Sequence, residues 1–209
     1  MTFRAPFITY EDVGKRTKEL LIKYHPSLEL PIPIEYMIEI DLSLYIQPFP
    51  NMYKILKHNG FLGLSRKVIY IDEYQYDNFI EKCRFTLAHE LGHYFLHESL
   101  YHGLSFDSEQ EFLEWIQSRD RNEIGWFETQ ANWFAAQLLV HRESLQKHCT
   151  DLLESNRKVY SDSEYLPHEF WSKASPELAV TFEVSPTVIE IRIQRESLID
   201  KFSDYYNNQ

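Results

Sequence analysis

Five consecutive residues of this 209-residue sequence combine side chains that bind metal ions with one that can move a proton. His89-Glu90-Leu91-Gly92-His93 fits the pattern H-E-x-x-H. On a helix, residues i and i+4 project from the same face one turn apart, so the imidazoles of His89 and His93 could reach a single ion. Glu90 would stand beside the open coordination position of that ion, where a carboxylate can accept a proton from water. The pattern is therefore typical of metal-assisted hydrolysis.

A third ligand is available downstream, and a catalytic zinc site needs three protein ligands and one open position. Glu128 stands at the predicted start of a strongly apolar helix, residues 128–140. An acid at a helix start is usually a first-turn residue favoured by the helix dipole. Together with the two upstream histidines, however, Glu128 is better interpreted as the third metal ligand. Asn132 follows one turn later, where we expect a buried amide that holds a ligand histidine by its other ring nitrogen.

Other polar residues near the motif are candidates for the remaining roles. His97 continues the i, i+4 series past His93, and contact with a ligand, packing and catalysis all stay open for it. A hydrolase also needs a donor that stabilises the oxyanion. The candidates for that donor are His97, Tyr94, His102 and His168, and for the last three an ordinary surface position is the commoner explanation.

The elements that must hold these side chains begin with strands in the first third of the chain. Residues 42–46 alternate between apolar and polar types, which predicts a strand. Residues 60–72 contain two short β-like runs, parted by the polar pair Arg66 and Lys67 as in a hairpin. A small N-terminal sheet or hairpin is therefore predicted.

Helical patterns dominate the rest of the chain. Apolar spacing predicts an N-terminal helix over 9–25 and a helix that runs through the histidines to about residue 97. Ser108 and Glu111 form a capping box for an inserted helix between the two candidate ligand segments. Helix 128–140 is apolar enough to cross the core. The fold class predicted from these elements is α+β, with helices dominant.

Two Ser-Pro pairs near the end predict helices at 176–182 and 186–199, which would form a C-terminal hairpin over 175–199. Such a pair has the proportions of a helix-turn-helix, which raises a DNA-binding regulator as an alternative function. The second helix offers only Arg192 and Arg195 as basic residues, offset by two glutamates, so it would neutralise few phosphates. We therefore favour a hairpin that packs on the core.

Composition and charge limit the partners. The length fits one domain over 1–209, with a core of about 30–195 and a linker-like stretch at 154–165. Lys and Arg total 21 against 32 Asp and Glu, which gives a net charge of −11. Because phosphate binding depends on clustered cations, this balance argues against direct binding of nucleic acid.

Two further features bear on localisation. The sequence has no apolar run of the roughly 18 residues that a membrane span needs, so we expect a soluble protein with no membrane partner. Cys83 and Cys149 are too few for a disulfide framework and match no metal motif. A reducing cytoplasm is the expected location.

Two stretches carry a family resemblance. RFTLAHELGHYFLH (84–97) and ETQANWFAAQLL (128–139) resemble the ImmA/IrrE family of bacterial and phage-associated metallopeptidases, whose marks are an H-E-x-x-H helix and an E-x-x-A-N-x-F-A-x-x-L-L helix. The likeness extends more loosely over about residues 30–195. Two differences are a long spacer between the motifs and Val140-His141 where family members often carry a proline.

The resemblance implies a zincin-like fold and a zinc-dependent endopeptidase that cleaves a helix-turn-helix repressor of a mobile element or stress response. In such a protein His89, His93 and Glu128 would bind the metal and Glu90 would be the general base. The same donors can also hold manganese or iron. The expected partner is a basic DNA-binding repressor. The remaining alternative is a non-proteolytic metal-binding protein of a toxin-antitoxin or phage module.

Zinc peptidases often bind substrate as an added strand at a sheet edge. The predicted hairpin precedes the metal helix directly, so we hypothesise that residues 68–71 or 61–64 supply that edge.

Overall fold

A computed structural model of the protein describes residues 5–102, 104–119, 121–155 and 167–198. The elements are, in chain order, α1 (Tyr10–Tyr24), α2 (Ile34–Tyr36) and the π-helical turn Met37–Asp41, β1 (Tyr45–Phe49), α3 (Met52–Leu56), β2 (Gly60–Leu62), β3 (Val68–Asp72), α4 (Glu73–Asn78), α5 (Ile80–Leu96), α6 (Glu98–His102), α7 (Glu109–Gln117), α8 (Arg121–Leu139), α9 (Arg142–Ser155), α10 (Pro167–Phe182) and α11 (Pro186–Arg195). The predicted helix-dominated α+β class is confirmed. Most of the linker-like stretch 154–165 lies outside the described residues.

The strands form one small sheet in the order β1-β3-β2. The predicted hairpin is confirmed, since β2 pairs antiparallel with β3. The strand predicted at 42–46 is displaced, because β1 begins at Tyr45 and pairs parallel with β3. The displacement has a local cause. The N–H groups of Leu42 and Leu44 donate to carbonyls of the preceding π-helical turn, at 3.0 and 2.9 Å, so they are not available for pairing with a neighbouring strand.

Two helix starts carry a side-chain N-cap, and the cap at Ser108 is the predicted one. The Thr9 side chain accepts from the backbone N–H of Asp12 at the start of α1, as expected for an N-cap. Ser108 likewise accepts from the backbone N–H of Glu111 at the start of α7. The Glu111 carboxylate accepts from the backbone N–H of Asp107, whereas a capping box predicts the N–H of Ser108, one residue later.

Two other helices begin earlier than predicted. Helix α8 starts at Arg121, not at residue 128. Helix α10 runs through Pro176, and Ser175 is not an N-cap, since its hydroxyl donates to the Trp171 carbonyl at 2.7 Å inside the helix. The buried side chains of Phe170 and Trp171 extend the apolar face of α10 ahead of the proline, and this packing outweighs the Ser-Pro signal.

The C-terminal pair packs as a hairpin on the core. Helices α10 and α11 contact each other, and α11 also contacts α8. Arg192 is 1% exposed, and its guanidinium donates to the Val140 carbonyl at 2.9 Å and to Glu196 at 2.6 Å. A cation held in this way is not available to a phosphate backbone, which counts against the DNA-binding alternative. Residue 199, the predicted end of the hairpin, lies beyond the described part of the chain.

The core is built around α5 and α8, which pack along each other, with α1 on α8 and strands β2 and β3 on α5. Both cysteines are buried and free, and burial raises the pKa of each thiol to about 12. Among the residues described, no helix is both long and apolar enough to cross a bilayer. The division into one domain stays a prediction.

A glycine sets the distance between the two central helices. A Cβ on Gly92 would lie 2.9 Å from the Cα and 3.1 Å from the carbonyl oxygen of Ala131, closer than real Cβ contacts come. Both of these atoms belong to the backbone of α8, so they cannot move as a flexible side chain would. The glycine of the H-E-x-x-H segment is therefore a packing requirement.

We expect Gly92→Ala to destabilise the fold by about 1–2 kcal/mol, because overpacking costs about 1–3 kcal/mol while alanine recovers up to about 1 kcal/mol of helix propensity. Urea denaturation of the metal-free protein measures the change. Gly125→Ala in α8 is the matched control, since a Cβ there meets nothing within 4 Å and should stabilise. Equal stability of the two variants would contradict the packing argument.

Candidate metal centre

Three predicted ligands converge between α5 and α8. The Nε2 atoms of His89 and His93 lie 3.0 Å apart, and the Glu128 carboxylate lies 3.1 Å from the first and 3.8 Å from the second. Bonds of about 2.0–2.2 Å in a tetrahedral arrangement place ligand atoms about 3.3–3.5 Å apart. The observed spacings bracket this value, so the three side chains fit one divalent ion.

A hydrogen bond orients the first imidazole. Asn132 Oδ1 lies 3.0 Å from His89 Nδ1. Because an amide oxygen only accepts, the ring donates from Nδ1, which leaves Nε2 as the ring atom that faces Glu128 and could bind a metal. Asn132 therefore makes the contact that its spacing suggested. It is exposed, not buried as expected, because its side chain lies at the solvent side of α8 while Phe134 and Leu138 take the core face.

A buried relay orients the second imidazole. His93 Nδ1 lies 3.0 Å from His97 Nδ1, and His97 Nε2 lies 2.9 Å from Gln130 Oε1. The Gln130 amide in turn donates to the Pro6 carbonyl at 2.7 Å. Since the Gln130 oxygen accepts, His97 carries its proton on Nε2, and His93 must donate from Nδ1. The relay thus leaves the Nε2 lone pair of His93 pointing at the metal position.

The relay also answers the open question about His97. This residue is fully buried, and burial lowers its pKa to about 4, so the ring is a neutral partner of His93. It has no surface with which to contact a substrate. Gln130 and Pro6 were not found by sequence reasoning, although Gln130 lies two residues after Glu128 in the same motif.

Glu128 lies within α8 and not at its start, because the helix begins seven residues earlier at Arg121. The first-turn explanation for this acid is therefore wrong. Burial would raise the pKa of Glu128, but its hydrogen bond to His89 and the charge of that ring outweigh the effect and lower it. The group is held as a carboxylate, which is the form that binds a metal.

The surroundings favour positive charge at the convergence point. Burial would lower the pKa of His89, but the hydrogen bond that its ring donates to the Glu128 carboxylate and the charges of Glu90 and Glu128 raise it to about 8. Burial, followed by the charges of His89 and His97, lowers the pKa of His93 well below its usual value. The carboxylates of Glu90 and Glu128 beside these rings therefore favour the binding of a cation.

Glu90 is 4% exposed and lies on the wall of the cavity beside the ligands. Burial raises its pKa to about 7; the charge of His89 opposes this, the charge of Glu128 adds to it, and a hydrogen bond from the Leu62 backbone N–H lowers it. The carboxyl therefore titrates near neutral pH, as a group that takes up and releases a proton must.

The cavity beside the three ligands is small, about 60 Å³. Two polar residues on its wall were missed by sequence reasoning, His58 and Tyr101. His58 is half-buried, and burial lowers its pKa despite the nearby Glu128. The sequence does place His58 directly before the hairpin that packs on the metal helix, and this position could have identified it as a site residue.

The other oxyanion candidates lie elsewhere. The Tyr94 ring lies under the Arg66 guanidinium at 4.6 Å, and exposed His102 pairs with Glu98 at 3.4 Å. Neither lines the cavity. The side chain of His168 falls outside the described residues.

The sheet has one edge beside the site. Residues 68–71 belong to β3, the central strand, so this half of the edge hypothesis is wrong. The run 61–64 begins in β2, an edge strand that packs on α5. Its Leu62 N–H bonds to Glu90, which places the edge next to the candidate catalytic carboxylate.

Comparison with known proteins agrees with this arrangement. The model of the Peptidase M78 family, described as the IrrE N-terminal-like domain, matches residues 39–194. The match includes both helices of the metal centre and the sheet. A search of curated proteins finds no match to the chain.

We expect Asn132→Ala to weaken zinc binding about 10- to 100-fold, because His89 loses the acceptor that fixes its tautomer and orientation. Competition with a chromophoric chelator measures the affinity. Thr129→Ala is the control, since the hydroxyl of this α8 side chain donates to the Gly125 carbonyl at 2.7 Å and Thr129 is not among the candidate ligands. If both variants bind zinc like the parent, Asn132 has no orienting role.

Proposed function

This chain belongs to the Peptidase M78 family of IrrE N-terminal-like domains, and from that premise we propose that it is a zinc-dependent endopeptidase. Family membership implies a metal-dependent peptidase. In the proposal His89, His93 and Glu128 hold the metal and Glu90 is the general base. The observation that carries it is the convergence of two oriented Nε2 atoms and one carboxylate beside a second, buried carboxyl group.

The donor set supports zinc as the metal. Two imidazoles and one carboxylate are the ligands of several catalytic zinc sites, although the same set also accepts manganese. When bound, a zinc ion supplies a Lewis acid that polarises the scissile carbonyl and lowers the pKa of water toward about 7. Activity should therefore be assayed with each of the two metals.

Glu90 handles the proton in this proposal. Its carboxylate takes a proton from the attacking water and then gives it to the leaving amine. Burial raises the pKa of this carboxyl to about 7 in the metal-free protein, and a bound cation would lower it toward the carboxylate form that accepts the proton. The Leu62 N–H holds the carboxylate in place, and the buried position keeps bulk water from competing for the proton.

His58 is our candidate for the donor that stabilises the oxyanion. It lies on the wall of the same cavity as His89 and Glu90, on the loop before β2, while the other described candidates do not line that cavity. We expect His58→Ala to lower kcat about 10- to 1,000-fold, as the loss of an oxyanion donor does elsewhere. Zinc affinity should stay unchanged, because His58 is not among the three ligands. A loss of bound zinc, or an unchanged kcat, would contradict this role.

The proposed substrate is a basic DNA-binding repressor that controls a mobile element or a stress response in the cytoplasm. The resemblance to the ImmA/IrrE family and the net charge of −11 support it, since a repressor carries a basic surface. Opposite charges would steer the two proteins together. The rate of encounter should then fall as salt screens this attraction.

The test mixes the purified zinc protein with a helix-turn-helix repressor encoded near its gene. We expect cleavage at one or a few bonds, slower at 500 mM than at 50 mM salt, and none with Glu90→Gln, because that variant lacks the proton acceptor. The cut is followed by gel and mass spectrometry. Zinc content of Glu90→Gln, measured by atomic absorption, is the control and should equal that of the parent.

A second candidate function is a non-proteolytic metal-binding partner in a toxin-antitoxin or phage module. The small cavity favours it, because about 60 Å³ is far below the roughly 300–1,000 Å³ of most ligand pockets. If the repressor binds with zinc or manganese present but stays intact, this function replaces the peptidase.

A further inference from the structure

The segment between the two ligand helices forms part of the wall of the cavity at the metal centre. Tyr101 from α6 and Phe112, Leu113 and Ile116 from α7 line it opposite the ligands. Tyr101, Phe112 and Leu113 are all buried. At about 60 Å³, the cavity leaves no space for a peptide segment between the ligands and α7 while α7 stays in this position.

The same segment also covers the sheet edge. Along 62–64 the backbone N–H groups alternate in direction: Gly63 donates inward to the Val68 carbonyl of the hairpin at 2.9 Å, while Leu62 and Leu64 donate outward. Leu62 donates to Glu90. Leu64 donates to both carboxylate oxygens of Glu109, the first residue of α7, at 3.1 and 3.0 Å.

The Leu64 N–H is the outward donor that an added strand would use, since the Leu62 N–H holds Glu90. In a β-ladder, the carbonyls of an incoming peptide accept from alternate N–H groups of the edge strand. The Glu109 carboxylate now takes the position of one such carbonyl. A Cβ on Gly63 would also lie 3.0 Å from Glu109 Oε1, so the carboxylate sits closely against the strand.

Resting on the proposed function, we propose that Glu109 is an internal competitor for substrate: it occupies a backbone-binding position on the β2 edge, and α7 must move away before an extended peptide can bind. The competing contact is intramolecular, so it raises the apparent dissociation constant of every substrate. Only a partner that replaces its contacts binds well.

The contacts of α7 indicate which side chain the substrate brings. Leu113 packs with Phe61 of β2 and Met52 of α3 in a small apolar cluster, separate from the main core. When α7 leaves, Phe61 and Met52 lose this cover. An apolar substrate side chain next to the Leu64-bound carbonyl would replace Leu113. The proposed ligand is therefore an extended segment with at least one large apolar residue.

A second contact joins the hairpin to α6, at the other end of the segment between the ligand helices, and this contact is exposed. Arg66 in the hairpin pairs with Glu98 of α6 at 2.5 Å and donates to the Tyr94 carbonyl at 2.8 Å. The Glu98 side chain is more than half exposed, and ion pairs of this kind hold weakly. The contact between the Leu64 N–H and Glu109 is therefore the one that an incoming peptide must replace.

Binding is measured in a background that cannot cut. The zinc-loaded Glu90→Gln protein keeps an acceptor for the Leu62 N–H, and fluorescein-labelled β-casein, an unstructured protein, is the probe. Fluorescence anisotropy should show that adding Glu109→Ala lowers Kd at least fivefold. The Kd of the Glu109→Gln variant, which keeps a neutral acceptor, should lie between the Kd of Glu90→Gln alone and that of Glu90→Gln with Glu109→Ala.

The matched control is Glu114→Ala in the same background. Glu114 is exposed on α7 and accepts only from Gln110 at 2.9 Å, so this variant loses the same charge without freeing the strand. Its Kd should stay within twofold of the Glu90→Gln value. If Glu109→Ala binds no more tightly than Glu114→Ala, the proposal is overturned.

A second measurement does not depend on any ligand. Amide exchange followed by NMR should show faster exchange at Leu64 in Glu109→Ala and unchanged exchange at Gly63, whose partner is Val68. An unchanged rate at Leu64 overturns the proposal. Cleavage of the repressor by the protein with Glu90 intact tests the peptidase separately. Tighter casein binding by Glu109→Ala, together with no cleavage of the repressor, would contradict the proposed function and support Glu109 as a competitor.

Discussion

The metal centre depends on how closely α5 and α8 approach each other. Gly92 permits the approach, because any Cβ there would meet the backbone at Ala131. The candidate ligands His89 and His93 flank Gly92 on one helix, and Glu128 and Asn132 flank Ala131 on the other. The contact that sets the distance between the helices therefore also sets the distances between ligand atoms.

The orientation of the ligands also depends on residues outside the contact between α5 and α8. His93 is oriented through His97 and Gln130 to the Pro6 carbonyl, and Gln137 of α8 donates to the Tyr10 carbonyl at 3.1 Å. Pro6 and Tyr10 precede the region 39–194 that matches the family. The N-terminal segment thus supports the candidate metal centre, although none of its residues from 5 onward is among the three candidate ligands. A buried polar relay of this kind tolerates little change, because each member satisfies the next.

Sequence reasoning worked where the determinant was local. The i, i+4 spacing of His89 and His93 and the apolar period of their helix are properties of one segment, and so is the hairpin that precedes it. It failed where packing overrode a local signal, as at Pro176 and at the early start of α8. His58, Gln130 and the covering helix α7 were missed as parts of the site for another reason. Their roles arise from contacts between elements distant in sequence, which no periodicity encodes.

The small cavity and the proposed peptidase are compatible because the Leu64–Glu109 contact that covers the sheet edge is of modest strength. A hydrogen bond to a charged group contributes about 1.5–3 kcal/mol, of the same order as one or two backbone bonds from a peptide. A random extended segment that offers only those bonds gains little by displacing Glu109 and α7. A partner that adds an apolar side chain against Phe61 and electrostatic attraction to a chain of net charge −11 gains more. Selectivity would then come from the number of contacts a substrate can replace, with no separate recognition domain required.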